Sequence, residues 1–196
     1  MGSSGTTREK GFRFGIEDAG ETPALRMEDL SLHVLDIAEN AVVAGARRVD
    51  IRVTEDVESN LLTIEIEDDG KGMSHEELKK AADPFYSTKK GKKVGLGLSL
   101  LSQAASESEG KLKVSSARGR GTLVKATFRA DHIDRKPLGN MAETLSALIA
   151  GNPRVRFTYT YCKGCTQFSL DTEELKSRET FDNKGAEIPH VEKVWP

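Results

Sequence analysis

The stretch IEDDGKGM at residues 66–73 marks the point where a strand gives way to a glycine-rich loop. Upstream of it, apolar and polar residues alternate over residues 61–67, which predicts a half-buried strand. Residues 48–54 alternate in the same way, so we expect an antiparallel pair joined by a turn at 55–60. Arginines on the first strand and glutamates on the second would then be neighbours on the polar face.

Helical patterns lie on both sides of this pair of strands. Residues 27–44 carry apolar side chains at helical spacing, and Gly45 is placed to end that helix. The apolar positions are Val34, Ile37, Ala38 and Ala41. Ser74 and Glu77 have the spacing of a capping box and predict a short helix that Pro84 stops. A further helix over 96–108 precedes two strands at 111–115 and 122–129.

The last third of the chain has a second pattern. A helix is predicted around apolar positions Met141, Leu145, Leu148 and Ile149. Residues 155–161 alternate as a strand, a turn at Lys163–Gly164 returns the chain into 166–170, and a short helix follows near 171–176. This hairpin could extend the main sheet or present an edge to a partner.

Composition narrows the class of protein. The chain has 196 residues, a net charge of −2, 37% hydrophobic residues and 31% charged residues. It is long enough for one domain with a small annex, and its apolar fraction is too high for a disordered chain. It has no run of 18 apolar residues, no secretory signal and no basic excess, so we expect neither a membrane nor a nucleic-acid partner. Two cysteines without an export signal indicate the cytoplasm.

Three polar residues lie together beside the apolar stripe of the first helix. His33, Asp36 and Asn40 fall within about 60° of one another on a helical wheel, where a carboxylate and an amide one turn apart could meet a common ligand. The plainer interpretation is a solvated helix face. Asp68, at the end of its strand, could accept a hydrogen bond from an amino group, and the glycines after it allow a flat ligand to approach the backbone.

Gly95, Gly97 and Leu98 belong to a glycine-rich opening of a helix, GLGL. Free backbone N–H groups and the positive end of a helix suit phosphate. The sequence is neither a P-loop nor a dinucleotide-binding fingerprint. Lysines in the preceding loop, among them Lys89 and Lys93, could hold phosphate charge or could keep that loop soluble.

Taken together, these motifs resemble one family. The order ENAVVAGARRVDIRV, IEDDGKGM, DPFYSTKKGKKVGLGLSLL, GRGT over about residues 27–130 is similar to the ATP-binding domain shared by gyrase, the ninety-kilodalton heat-shock chaperones, histidine kinases and MutL-type proteins, the GHKL family. The resemblance implies a Bergerat-type fold: an α/β two-layer sandwich of a mixed, mainly antiparallel sheet covered by helices. ATP with Mg²⁺ would bind between the helices, beneath a lid at 83–95.

The resemblance also implies roles for individual residues. Asn40 corresponds to the asparagine that holds Mg²⁺, and Asp68 to the carboxylate that binds the adenine amino group. Residues that would line the adenine are Gly70, Gly72, Met73 and Thr122, the last through water. Residues that would meet phosphates through their backbone are Gly95, Gly97 and Leu98. Phe85 and Tyr86 resemble the aromatic box at the start of the lid.

Asp36 departs from the family pattern. Hydrolysing members carry glutamate four residues before the asparagine, and histidine kinases usually carry asparagine there. The shorter carboxylate of Asp36 could be the catalytic base that activates water, could orient a water, or could contact Mg²⁺ indirectly. His33, one turn earlier, could bond Asp36, but a surface position is the favoured interpretation.

The organisation that follows is a flexible arm at 1–26, an ATP-binding domain at 27–131, and a C-terminal α-β-β appendix at 132–196. Residues 1–26 have neither a helical pattern nor a histidine, so we do not expect autophosphorylation in cis. The leading prediction is a kinase, of serine or histidine type, acting on an unknown regulatory protein in trans. The alternatives are an ATP-hydrolysing switch and a nucleotide sensor. A homodimer is left open.

Cys162 and Cys165 form a CxxC pair in the predicted hairpin turn. Structural zinc needs four ligands, and the sequence contains no second CxxC. A redox pair would be expected near a βαβ unit. The favoured interpretation is therefore a tight turn without metal or redox chemistry.

Overall fold

The structure is a computed structural model that describes residues 29–81 and 96–181, with side chains over 29–81 and 97–177. The helices are α1 (Leu30–Val43), α2 (His75–Ala81), α3 (Leu96–Glu107), α4 (Met141–Gly151) and α5 (Thr172–Phe181). The strands are β1 (Arg48–Asp56), β2 (Leu61–Asp68), β3 (Lys111–Ser116), β4 (Thr122–Arg129), β5 (Arg156–Lys163) and β6 (Thr166–Asp171). No helix in these ranges has the length and apolarity needed to cross a bilayer.

The six strands form one sheet in the order β3-β4-β2-β1-β5-β6. The pair β1 and β5 is parallel, and the other four pairs are antiparallel. Alternate side chains of the central strands are buried, and the helices α1, α3 and α4 contact one another or the sheet. The predicted two-layer α/β sandwich with a mixed, mainly antiparallel sheet is confirmed.

The C-terminal hairpin extends the main sheet. Strand β5 runs beside β1 over eight residue pairs, and α4 packs against α1. Phe157 and Tyr159 of β5 are fully buried in the same core as the strands before residue 131. Of the two alternatives for the hairpin, the structure therefore shows the continuous sheet.

Several local predictions are confirmed in detail. The backbone N–H of Ser74 donates to Glu77 Oε2 at 2.7 Å, and the N–H of Glu77 donates back to Ser74 Oγ at 3.3 Å, which is a capping box. Gly45, at φ 83°, ends α1 in the left-handed conformation. On the polar face of the sheet, Arg52 pairs with Glu65 at 3.3 Å.

Two boundaries differ from the predictions for local reasons. Helix α1 begins at Leu30 because the Asp29 carboxylate caps it, accepting from the N–H of Leu32 at 3.1 Å. Strand β5 continues to Lys163, so the turn is Gly164–Cys165 and not Lys163–Gly164. A glycine at the first turn position, with φ 56°, suits the two-residue turns of hairpins.

His33 is not the surface residue that the sequence favoured. Its side chain is fully buried, and neither ring nitrogen has a hydrogen-bond partner among the described residues. Helix α1 is covered by α3 and α4 as well as by the sheet, so its buried arc is wider than the apolar stripe. Burial, with a contribution from the charge of Lys136, lowers the pKa of His33 to about 4, although Asp29 opposes the shift.

Candidate functional site

The loop after β2 places one carboxylate at the end of the strand. Asp68 is half-buried and pairs across the sheet with Thr122 of β4. Its Oδ1 accepts a hydrogen bond from the N–H of Gly70 at 2.8 Å. Burial raises the pKa of Asp68, and the backbone hydrogen bonds from Gly70 and Thr122 oppose that shift. The loop thus holds this carboxylate in a fixed position beside β4.

The neighbouring Asp69 fixes the position of the loop after β2. Its Oδ1 accepts from the backbone N–H groups of Arg47 at 2.7 Å and Arg48 at 2.9 Å, which fastens the loop to the start of β1. Desolvation pushes the pKa of Asp69 upward, but these two hydrogen bonds lower it on balance. Asp69 is therefore a structural residue, and Asp68 is the candidate ligand-binding residue of the pair.

Glycines bring this loop into backbone contact with the turn between β3 and β4. A Cβ on Gly72 would meet the Ala117 carbonyl group, and one on Gly121 would lie 2.7 Å from the carbonyl carbon of Asp68. Both glycines also have positive φ, 61° and 74°. The N–H of Gly119 donates to Lys71 O at 2.8 Å, which closes the contact. Larger residues at Gly72 or Gly121 would force the two segments apart.

Ser116 joins the same two segments through its side chain, and the sequence analysis missed it. Its Oγ accepts from the N–H of Met73 at 2.8 Å, bonds Gly121 O at 2.9 Å and lies 3.0 Å from Thr122 Oγ1. One hydroxyl can donate once and accept twice, so all three contacts can be satisfied together. Ser116 positions both Met73 and Thr122, and a serine at the end of a strand gives no sequence signal of that role.

We expect Ser116→Ala to cost about 1 kcal/mol of unfolding free energy, because three hydrogen-bonding groups lose a partner. Ligand binding at this end of the site should weaken by about fivefold if Thr122 and Met73 shift. Denaturant unfolding and a binding titration measure the two effects. Ser115→Ala, at the exposed neighbour on the same strand, is the control, and equal effects from both variants would contradict a role for Ser116.

A second group of polar residues lies where α1 meets the start of α3. The carboxylate of Asp36 occupies the space in which a side chain of Gly97 would project, with Asp36 Cγ 2.8 Å from an ideal Cβ. Asn40 Nδ2 donates to Asp36 Oδ2 at 3.3 Å. Burial raises the pKa of Asp36, the nearby Glu39 adds to the rise, and the hydrogen bond from Asn40 opposes it. Helix spacing therefore does bring Asp36 and Asn40 together.

The C-terminal end of α1 links the two groups of residues. The N–H of Lys71 donates to Ala44 O at 3.1 Å, and an ideal Cβ on Gly70 would lie 3.2 Å from Ala44 Cβ. Ala44 follows Asn40 by one turn, which is about 6 Å along the helix axis. The end of α1 thus connects the Asp68 loop to the contact between Asp36 and Gly97.

Comparison with known proteins decides the family. The family model described as histidine kinase-, DNA gyrase B- and HSP90-like ATPase matches residues 27–132. The chain belongs to this ATPase family. The match includes all of the predicted site residues and ends just after β4. The domain that contains these residues is therefore an ATP-binding domain.

Individual relatives match about half of the chain. Sporulation kinase C of Bacillus subtilis is 33% identical over 94 residues, which are 48% of this chain and 22% of that kinase. A putative sensor protein of Shewanella frigidimarina is 30% identical over 111 residues, 55% of this chain and 17% of that protein. The chain thus spans less than a quarter of the length of these two relatives.

Two further matches are an anti-sigma factor and a solved structure. The anti-sigma F factor of a Thermoanaerobacter species is 29% identical over 102 residues, covering 50% of this chain and 67% of that factor. The solved structure of the mycobacterial sensor histidine kinase MprB is similar with a TM-score of 0.39 and 25% identity, covering 49% of this chain and 66% of that one.

Within the ATPase family site, the structure describes most of the predicted residues. Leu98 is half-buried against the core, and Met73 is half-buried beside Ser116. Asn40 is exposed beside Asp36. The predicted site residues Lys89, Lys93 and Gly95, together with the aromatic pair Phe85 and Tyr86, lie outside the described residues.

The donor set around Asn40 fits a magnesium ion bound through phosphates. The amide nitrogen of Asn40 points to Asp36, so its oxygen Oδ1 is the atom available to a cation. Magnesium commonly takes one or two protein oxygens together with phosphate oxygens and water. No group of three or more His, Cys, Asp or Glu side chains that could hold a metal occurs among residues the structure describes.

The cysteines lie away from the predicted site residues, at the tip of the hairpin formed by β5 and β6. Both are free thiols: Cys162 is half-buried at the end of β5, and Cys165 is exposed in the turn. The downstream histidine, His190, lies outside the described residues.

Proposed function

We propose that the chain binds ATP with Mg²⁺ in the cleft between α1, the loop after β2 and the start of α3, and acts as a kinase on a protein partner in trans. The observation that carries the proposal is the contact between Asp36 and Gly97, because it places the polar residues of α1 at the opening turn of α3. The family assignment supports ATP as the ligand, and this contact supports the proposed location of its phosphates.

At the other end, Asp68 is the proposed adenine-binding residue. A carboxylate fixed by the N–H of Gly70 can accept a hydrogen bond from the exocyclic amino group of adenine. Thr122 lies opposite Asp68 in the sheet, and Ser116 fixes its hydroxyl. Gly70, Gly72 and Met73 form the adjoining loop against which a flat base would pack.

At the phosphate end, the opening turn of α3 offers backbone N–H groups. Gly95, Gly97 and Leu98 are the proposed phosphate contacts, and a helix N-terminus favours negative charge. The oxygen of Asn40 is the proposed protein ligand for Mg²⁺, which supplies positive charge between the phosphates when bound. Lys89 and Lys93 are proposed to neutralise the remaining phosphate charge.

In the proposed transfer step, the acceptor belongs to the partner protein. In the proposed reaction, a serine hydroxyl or histidine nitrogen of the partner forms a bond to the γ-phosphorus. The bond from that phosphorus to the β–γ bridging oxygen breaks, ADP leaves, and the acceptor loses one proton. The relatives named sporulation kinase and anti-sigma factor support a kinase that acts within a regulatory system.

A second candidate function is an ATP-hydrolysing switch, and Asp36 favours it. A half-buried carboxylate with a raised pKa, near the phosphate end, can act as the base that activates water. In that case ATP binding would change a protein interface, and hydrolysis would reverse the change. A nucleotide sensor without turnover is the third alternative.

One experiment distinguishes these three functions. The chain and the proteins that co-purify with it are incubated with γ-labelled ATP and Mg²⁺. We expect label on a co-purifying protein. Free phosphate alone, abolished in Asp36→Asn, would instead indicate the ATPase. Protection against unfolding by ATP, with neither product, would indicate the sensor. Label on the chain itself would contradict transfer in trans.

A further inference from the structure

The most informative contact in the site is the one between Asp36 and Gly97. The Asp36 carboxylate fills the position that a side chain at Gly97 would take, and Asn40 holds it there through Nδ2. Gly97 is the second residue of α3, a helix of 12 residues. An anion of the protein itself therefore lies against the first turn of the helix at which the phosphates are proposed to bind.

A helix N-terminus attracts one kind of charge. The partial positive charge of α3 stabilises an anion near its first turn, and it does so for a carboxylate as well as for a phosphate. Two anions at the same end repel each other, because like charges a few ångströms apart interact unfavourably at a half-buried site. Asp36 and an incoming phosphate group thus compete for the same turn.

We propose that Asp36 is a specificity-determining residue that opposes phosphate binding at α3 until the phosphate charge is neutralised. This inference rests on the proposed ATP site. Free triphosphate is repelled by the Asp36 carboxylate, which lies against the first turn of α3, and gains little from that helix end. A nucleotide whose phosphates carry a cation is not repelled in this way. The residue thereby makes tight binding conditional on the divalent cation.

The competition predicts a dependence on phosphate number that a simple packing contact does not. Removing the charge of Asp36 should leave the proposed adenine end unchanged, because Asp68 and Ser116 make their hydrogen bonds to the loop after β2 and not to Asp36. The gain in affinity should increase from adenosine to ADP to ATP. A packing contact would change all three affinities together.

The experiment measures the dissociation constants of adenosine, ADP and ATP by calorimetry, in EDTA and in excess Mg²⁺. In EDTA, we expect Asp36→Asn to bind ATP about tenfold more tightly than the wild type, ADP less so, and adenosine equally. In Mg²⁺ the difference for ATP should fall to about twofold. Glu39→Gln, which removes an exposed charge from the same helix, is the matched control and should change each affinity by less than about twofold.

Four outcomes would overturn the inference. Two concern Asp36→Asn alone: it binds metal-free ATP no more tightly than the wild type, or its affinity for adenosine rises as much as its affinity for ATP. In the other two, Glu39→Gln raises the affinity for metal-free ATP as much as Asp36→Asn does, or neither the wild type nor Asp36→Asn binds metal-free ATP while both bind adenosine. The proposed function fails in a different way. In that case the wild type would not bind ATP with Mg²⁺, or Asp68→Asn would bind it as well as the wild type does.

Discussion

Asp68→Asn should weaken ATP binding by about 10- to 100-fold while leaving the unfolding free energy nearly unchanged. In the proposed site, the charged carboxylate accepts a hydrogen bond from the adenine amino group, whereas asparagine offers only one oxygen, which is neutral and bonded to Gly70. Its contact with the N–H of Gly70 survives, because the asparagine oxygen still accepts. Calorimetry measures the affinity, and denaturant unfolding measures the stability.

The neighbouring aspartate provides a matched control. Asp69→Asn changes the same chemical group one residue along, but that side chain binds Arg47 and Arg48 of the β1 end. The asparagine oxygen can still accept from both N–H groups, but it lacks the negative charge that strengthens these bonds. We therefore expect Asp69→Asn to lose about 1 kcal/mol of stability and to keep its affinity for ATP. The two variants should therefore separate binding from folding, and equal losses of affinity would show that the adenine contact is assigned to the wrong residue.

A nucleotide variant tests the same hydrogen bond from the ligand side. Inosine triphosphate lacks the adenine amino group, so the wild type should prefer ATP to inosine triphosphate by about tenfold or more. Asp68→Asn should lose most of that preference. If the preference remains, the amino group is recognised elsewhere in the cleft.

The second large effect concerns stability at mildly acidic pH. The pKa of buried His33 is lowered to about 4, whereas the unfolded chain has an ordinary histidine pKa near 6.5. The unfolded state therefore binds the proton more readily, and stability is lost as the pH falls below about 6.5. Between pH 7 and pH 5 the loss from this group is about 2 kcal/mol.

His33→Leu tests this directly, because it removes the titrating group and leaves an apolar side chain in the core. The difference in unfolding free energy between the variant and the wild type should shift by about 2 kcal/mol in favour of the variant from pH 7 to pH 5. Carboxylates titrate in both proteins, so their contribution cancels in this difference. A difference that does not change with pH would mean that His33 is not buried in its neutral form.

Local signals in the sequence predicted most of the elements. Alternation identified the strands, the Ser74–Glu77 pair identified the start of α2, and Gly45 identified the end of α1. These features depend on residues a few positions apart, where propensity and capping act directly. The overall sandwich followed from the family resemblance rather than from periodicity.

The features that escaped prediction depend on distant segments. His33 was assigned to the surface because a helical wheel does not show which other helices pack against α1. Ser116 gave no signal, since its three partners come from a loop and a turn that only the fold brings together. The contact of Asp36 with Gly97 joins residues that are 61 positions apart and was equally invisible.

The extension of the sheet by β5 and β6 also decides where another chain could add a strand. Strand β1 has a neighbour on both sides, so in the described part of the chain the sheet ends at β3 and at β6. These two edges are five strand spacings apart, which is about 24 Å. The proposed ATP site includes Asp68 of β2 and Thr122 of β4, which are close to the β3 edge. Two copies joined through β3 would therefore have their proposed sites close together, and two joined through β6 would have them far apart.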